Sequence, residues 1–141
     1  MCGILGYYGK KELPIDQELN LLTHRGPDHQ EIIQVQDVRF GHTRLAIVDL
    51  DHGQQPLQSA DGRYHLICNG EIYNHLEIRQ QLSHYPFKTN TDSEVILALY
   101  QEYGREAITH LDGMFAFALY DQTADEIYLG RDPIGIKPLY Y

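Results

Sequence analysis

The chain of 141 residues sets 11 lysines and arginines against 20 aspartates and glutamates, a formal net charge of −9, with 43% hydrophobic residues. A chain of this length buries roughly two-thirds of the surface its unfolded form exposes, so a single domain with a sizeable core is expected. No basic cluster is present to neutralise phosphates, which argues against nucleic acid and anionic membrane as partners.

The first element is a strand over residues 3–8, GILGYY, directly behind Cys2. Ile15, Leu19 and Leu22 then recur at helical spacing behind Pro14, which suits a first helical turn. The loop HRGPDHQ, residues 24–30, is expected to be ordered and stapled by Arg25 and Asp28. Strands follow over residues 31–36, 39–44 and 64–68. The string ICNGEIYNH runs from a strand through Asn69-Gly70 to a helix near Asn74, with Asn74 and Glu77 as a weak capping pair. In TDSEVILALYQEYG, Thr91 and Glu94 make a capping-box pattern, Val95, Ile96, Leu99, Tyr100 and Tyr103 share one face, and Gly104 closes the helix. MFAFALY, residues 114–120, is continuously apolar and predicts a strand covered on both faces, and it is far too short to span a membrane. A last strand is expected over residues 126–129, before the glycine- and proline-rich RDPIGIKPLYY, where Arg131 and Asp132 read as an ion-paired staple. The pattern suits sheets sandwiched by helices.

Two cysteines, Cys2 and Cys68, read as free thiols, with Cys68 a core residue. The 8 histidines lack metal-ligand spacing, so no metal site is expected. The start of the chain shows no signal-peptide pattern, and a cytoplasmic location is expected.

Four features carry chemistry. Once Met1 is removed, the α-amine of Cys2 lies beside its thiol, and a free α-amine has a pKa of about 7.7 to 8.0, well matched to proton transfer. Nucleophile and base then come from one residue; the alternative is a small buried apolar Cys2. Asn69 and Gly70 offer a side-chain amide and a backbone N–H as convergent donors for an oxyanion, where a common tight turn is the competing reading. Arg44, inside an apolar strand, demands an anion: an internal carboxylate or a substrate α-carboxylate. Asp92 and Glu71 are anions that could receive an ammonium, although each alone reads as a helix-start or turn residue. In combination they make a zwitterion receptor beside a nucleophile.

With Cys2-Gly3-Ile4, HRGPD, GHTRLAIVDL, QPL, NGEIYNH, TDSEVILALY, LDGMFAFALYD and RDPIGIKPLYY in this order, the whole chain resembles the glutaminase domain of glutamine-hydrolysing asparagine synthetases. These are class II glutamine amidotransferases of the N-terminal nucleophile hydrolase superfamily. The resemblance implies an α+β fold, a four-layer αββα sandwich of the N-terminal nucleophile hydrolase type, left incomplete at the C-terminus. It also implies that Cys2 attacks the carboxamide of L-glutamine, with Asn69 and Gly70 as oxyanion hole. Arg44 would hold the α-carboxylate, Glu71 and Asp92 the α-ammonium, and backbone groups of Leu45, Ala46, Ile47 and Val48 would line the pocket. Hydrolysis would need no cofactor and no metal. ATP and Mg belong to the synthetase domain of such enzymes, whose Ser-Gly-Gly loop this sequence lacks, so residues 1–141 are expected to be a glutaminase domain supplying ammonia to a synthetase domain or subunit.

A rival from another class is a truncated, noncatalytic amidotransferase-like module that docks to a synthetase partner; retention or removal of Met1 discriminates the two. A cysteine protease built on Cys68 has no local signature in its favour.

Overall fold

The computed structural model describes residues 2–11, 13–47, 49 and 52–141. In chain order the elements are β1 (Gly3–Tyr8), α1 (Asp16–Asn20), β2 (His29–Val35), β3 (Val38–Arg44), β4 (Leu57–Gln58), β5 (Tyr64–Ile72), α2 (His75–Gln81), α3 (Glu94–Tyr103), β6 (Gly113–Asp121) and β7 (Glu126–Arg131), with 3-10 turns at Thr23–Arg25 and Gly104–His110. Among the described residues no helix is long and apolar enough to cross a membrane.

The strands form two antiparallel sheets, one of order β1-β3-β2 and one of order β4-β5-β6-β7. Alternation along each strand assigns the faces. On β5 and β6, Leu66, Cys68, Ile72, Phe115, Phe117 and Leu119 face outward and bury the apolar sides of α2 and α3, through Ile78, Val95, Ile96 and Leu99. Ile67, Ala118 and Tyr120 face inward and meet Val38 and Phe40 of β3, with Ile4 and Ile127 packed alongside. On the far side of the first sheet, α1 places Leu19, fully buried, against Gly41, where an added Cβ would sit 2.9 Å from the leucine side chain. The layers therefore run α1, first sheet, second sheet, α2 and α3: the αββα sandwich. The expected strand over residues 114–120 is buried along both faces, as its unbroken apolar run predicts.

Several local expectations are corrected. Asn69-Gly70 is no turn: β5 runs straight through it to Ile72, four residues past the predicted end at residue 68. Gly70 is demanded by the neighbouring strand, because a Cβ there would drive into the carbonyl of Met114 and come within 2.6 Å of the Phe115 Cα. The capping box on α3 does not form. Ser93 occupies the N-cap with no side-chain bond, and the buried Glu94 carboxylate instead accepts the Lys88 N–H at 2.7 Å, the Thr89 N–H at 2.8 Å and the Thr89 hydroxyl at 2.7 Å. Its first duty is to fold the preceding loop onto the helix. Asn74 likewise makes no cap; its amide donates to the His110 carbonyl at 2.9 Å and its oxygen accepts the Asp112 N–H at 3.0 Å. Gly104, at φ 58°, does close α3 as expected. Arg131 and Asp132 bond backbone groups of the following turn rather than each other. The two-residue β4 carried no pattern long enough to read.

Candidate active site

The two sheets part at one end, and the residues singled out in the sequence collect there. Ile4 points into the sandwich, so alternation turns Cys2, two residues earlier, to the same face. The Gly3 N–H donates to Thr43 Oγ1 at 3.1 Å and pins β1 beside β3, which holds Cys2 against the end of that strand. The Cys2 thiol lies 3.9 Å from the Leu45 carbonyl. Val38, Phe40, His42 and Arg44 share the inner face of β3, so the guanidinium of Arg44 emerges beside Cys2. It is 5% exposed and its Nη2 donates to the Asp49 carbonyl at 2.5 Å. Gly53 makes this possible: a Cβ there would lie 2.5 Å from Arg44 Nη2 and 2.6 Å from Thr91 Cγ2.

The opposite wall is β5, whose inner face carries Ile67, Asn69 and Glu71. β4 pairs only with His65 and Leu66, so past its end the even-numbered residues of β5 present their N–H groups to an open edge. Two of these are taken by side chains: Gln55 Oε1 accepts the Cys68 N–H at 2.7 Å, and Asp92 Oδ2 accepts the Ile72 N–H at 2.7 Å. The N–H of Gly70 lies between them and points to the same edge by the same alternation. Asn69 beside it is 6% exposed, and its Oδ1 is buried without a hydrogen-bond partner. A buried orphan amide oxygen costs free energy unless something else meets it.

A cavity of about 100 Å³ opens between these walls, lined by Cys2, Arg44, Leu45, Ile47, Asn69, Gly70, Glu71 and Asp92 among others. This is room for a small polar molecule rather than a single water. Ala46 does not line it; its N–H turns away and donates to Asp28 Oδ2 at 2.8 Å. Val48, also expected at the pocket, lies outside the described residues, as does Met1. The rest of the lining was not anticipated: Gly53, Gln55, Cys68, Thr91, Ser93, Met114 and Lys137. Gln55 and Lys137 sit in loops where no periodicity marks an inward side chain. Only the oddity of a lysine between isoleucine and proline, in GIKP, could have drawn notice.

Electrostatics separates the two thiols. Burial drives the Cys68 pKa up, the Asp92 carboxylate adds to that, and Lys137 opposes it. Cys68 is 1% exposed and unsuited to attack as a thiolate, whereas Cys2 is half-buried at the cavity wall. Both are free thiols. Among the described residues no group of three or more His, Cys, Asp or Glu could hold a metal ion.

Comparison with known proteins gives this cavity a family. The sequence profile of the glutamine amidotransferase domain matches residues 1–141. The chain is 43% identical to glutamine-hydrolyzing asparagine synthetase 1 of Bacillus subtilis, over 100% of its own length and 24% of that protein's. It is 45% identical to glutamine-hydrolyzing asparagine synthetase B of Escherichia coli, over 99% of its own length and 26% of that protein's. The chain thus spans about a quarter of the length of these curated relatives. Among solved structures, glutamine phosphoribosylpyrophosphate amidotransferase from B. subtilis superposes on 72% of this chain and 24% of its own with a TM-score of 0.59 and 27% identity. The chain belongs to the glutamine amidotransferase domain family and is homologous to the N-terminal glutaminase domain of the asparagine synthetases.

Proposed function

We propose that this chain hydrolyses the side-chain amide of L-glutamine to glutamate and ammonia, with Cys2 as nucleophile. The observation that carries the reading is the convergence of Cys2, Arg44, Asn69, Gly70, Glu71 and Asp92 on one cavity between the sheets. Arg44 supplies a fork for the α-carboxylate. Glu71 and Asp92 across the cavity supply the counter-charge for the α-ammonium. A zwitterion held at both ends leaves its side chain pointing at the remaining wall.

After loss of Met1, the α-amine of Cys2 takes the thiol proton as Sγ adds to the carboxamide carbon. The C=O electron pair moves onto oxygen, where the Gly70 N–H and the Asn69 amide donate to it. Collapse re-forms the carbonyl and breaks the C–N bond, and the leaving nitrogen departs as ammonia with the proton returned from the Cys2 ammonium. Water, deprotonated by the same amine, then adds to the thioester carbon, and the C–S bond breaks to give glutamate and the free thiol. The domain type needs no cofactor for this sequence. Residues 1–141 act as the glutaminase unit, and the ammonia passes to a synthetase-type acceptor of the kind present in the relatives, where ATP and Mg belong.

Glutamate release from glutamine by protein lacking Met1 is the test. Cys2→Ala abolishes release while leaving the thermal unfolding midpoint within a few degrees. Undiminished hydrolysis in Cys2→Ala contradicts the proposal, and intact folding with no hydrolysis in the unsubstituted protein favours the noncatalytic docking module.

A further inference from the structure

The QPL string, residues 55–57, brings a second carboxamide to the cavity. Leu57 is buried in the outer core and pairs with Leu66, in a register that sets residue 55 opposite Cys68. Pro56 has no N–H with which to continue the ladder, and β4 begins only after it. The rung at Cys68 is completed instead by a side chain, Gln55 Oε1 accepting the Cys68 N–H at 2.7 Å.

That bond orients the whole amide. A backbone N–H can only donate, so the atom it meets is the oxygen, and the nitrogen of Gln55 lies on the other branch. Gln55 is 6% exposed and lines the cavity. Its Nε2 donates to no described residue, and the cavity is the space it opens on. A donor fixed at a nearly buried wall demands an acceptor on whatever occupies the cavity.

The place of that donor selects the acceptor. Two residues before Gln55 the same chain passes so close to the Arg44 guanidinium that a Cβ on Gly53 would lie 2.5 Å from Nη2. Residues 53–55 therefore run from Arg44 to the edge of β5, where Gln55 and Asp92 flank the Gly70 N–H. On the glutaminase reading, on which this inference rests, L-glutamine offers two acceptors, its side-chain carbonyl and its α-carboxylate. Asn69 and Gly70 meet the first. The second, beside Arg44, has two oxygens and about four lone-pair sites, more than one edge of a guanidinium fills.

We propose that Gln55 is a specificity-determining residue of this site, its Nε2–H donating to the substrate α-carboxylate beside Arg44 while its Oε1 stays on Cys68. A neutral donor tightens the hold on a carboxylate without adding a charge to the cavity. It also discriminates: an amino acid whose carboxylate is replaced by an uncharged group forfeits a charge-assisted bond, roughly twice as strong as a neutral one.

Gln55→Glu separates the two branches of the side chain, because the introduced carboxylate still accepts the Cys68 N–H and puts an oxygen where the donor was. The experiment compares KM for L-glutamine with the inhibition constant of L-glutamine α-amide, in which a carboxamide replaces the α-carboxylate, at about pH 8 to keep the introduced group ionised. Gln55→Glu raises KM for L-glutamine by roughly 10-fold or more, while the inhibition constant of the α-amide changes by less than about threefold. Should Gln55→Glu fail to fold, Gln55→Met makes the same comparison with a relative rise in KM of about threefold, since it removes the donor without adding repulsion. Equal changes for both compounds, as a merely structural role would give, overturn the inference, as does an unchanged KM. If the unsubstituted protein does not hydrolyse L-glutamine, the glutaminase reading fails, and calorimetric Kd values of the two compounds then decide the role of Gln55. A Kd for L-glutamine raised by Gln55→Glu relative to that of the α-amide upholds it; an equal change, or no binding of either compound, overturns it.

Discussion

Asp92 illustrates how one carboxylate can serve fold and site together. Its Oδ2 takes the Ile72 N–H at 2.7 Å at the open edge of β5, and its side chain lines the cavity opposite Arg44. The two duties separate by substitution. Asp92→Asn keeps an oxygen acceptor for Ile72 but removes the charge, so KM for glutamine is expected to rise by about 10-fold or more with little change in stability, in keeping with the 1.5–3 kcal/mol typical of a charge-assisted hydrogen bond. Asp92→Ala leaves a buried N–H unmet and costs about 1–3 kcal/mol of folding free energy besides. Steady-state kinetics and urea titration of the two variants check the pair; equal KM values for Asp92→Asn and the unsubstituted protein contradict the ammonium role. At this scale the signal lay in the combination: Cys2, Arg44, Asn69, Gly70, Glu71 and Asp92 each had a structural reading of their own, and all six line one cavity. Lys137 was not legible, because its inward direction is set by Asp132 and Gly135 through a turn that leaves no periodic trace.

At the scale of elements, strand existence was plain from alternation and apolar runs, but ends and caps were not. Asn69-Gly70 has the composition of a turn, and pairing with β6 overrides it by extending β5. Thr91 and Glu94 have capping-box spacing, yet Glu94 is buried and bonds the Lys88 and Thr89 amides, a longer-range use that the local pattern hides. The sheets are also clasped far from the site. The single hydroxyl proton of Tyr120 on β6 lies between two acceptors, Gln36 Oε1 at 2.6 Å in the β2–β3 turn and Asp125 Oδ1 at 2.9 Å, and Tyr8 of β1 donates to Asp125 Oδ2 at 3.1 Å. Nothing in the spacing of residues 8, 36, 120 and 125 announces this. Tyr120→Phe is expected to lower unfolding free energy by about 1–2 kcal/mol, the size of a partly buried hydrogen bond, while kcat/KM stays unchanged. Chemical denaturation with parallel kinetics tests it, and a large loss of activity at equal stability would contradict the clasp as a purely structural device.

For the molecule as a whole, the sandwich is held beside the cavity by a neutral histidine. His42 is fully buried on the inner face of β3; its Nε2 lies 3.3 Å from the Cys68 carbonyl of β5, and its Nδ1 has no partner. Burial lowers its pKa to about 4, partly offset by the bond to the Cys68 carbonyl. The unfolded chain binds this proton near pH 6.5 and the folded one near pH 4, so stability from His42 is full above pH 6.5 and is lost as pH falls towards 4, on the order of 3 kcal/mol in all. His65, whose pKa is also lowered by burial, adds in the same direction. His42→Leu is expected to flatten the pH dependence of unfolding free energy in this window by up to about one proton; an unchanged slope contradicts it. The αββα architecture itself was legible from the alternating strands and two amphipathic helices only as sheets between helices, because the order of layers depends on which faces Leu19, Phe40 and Ile67 find, a choice made in three dimensions.

The central claim is that Cys2, not Cys68, attacks a glutamine side chain seated between the sheets. Reaction of the protein lacking Met1 with a diazoketone analogue of glutamine, followed by mass mapping of peptides, tests it most directly. One adduct on the peptide that begins at Cys2, suppressed by excess glutamine, is the predicted result. Labelling of Cys68 instead, or labelling of Cys2 that glutamine does not prevent, would contradict it.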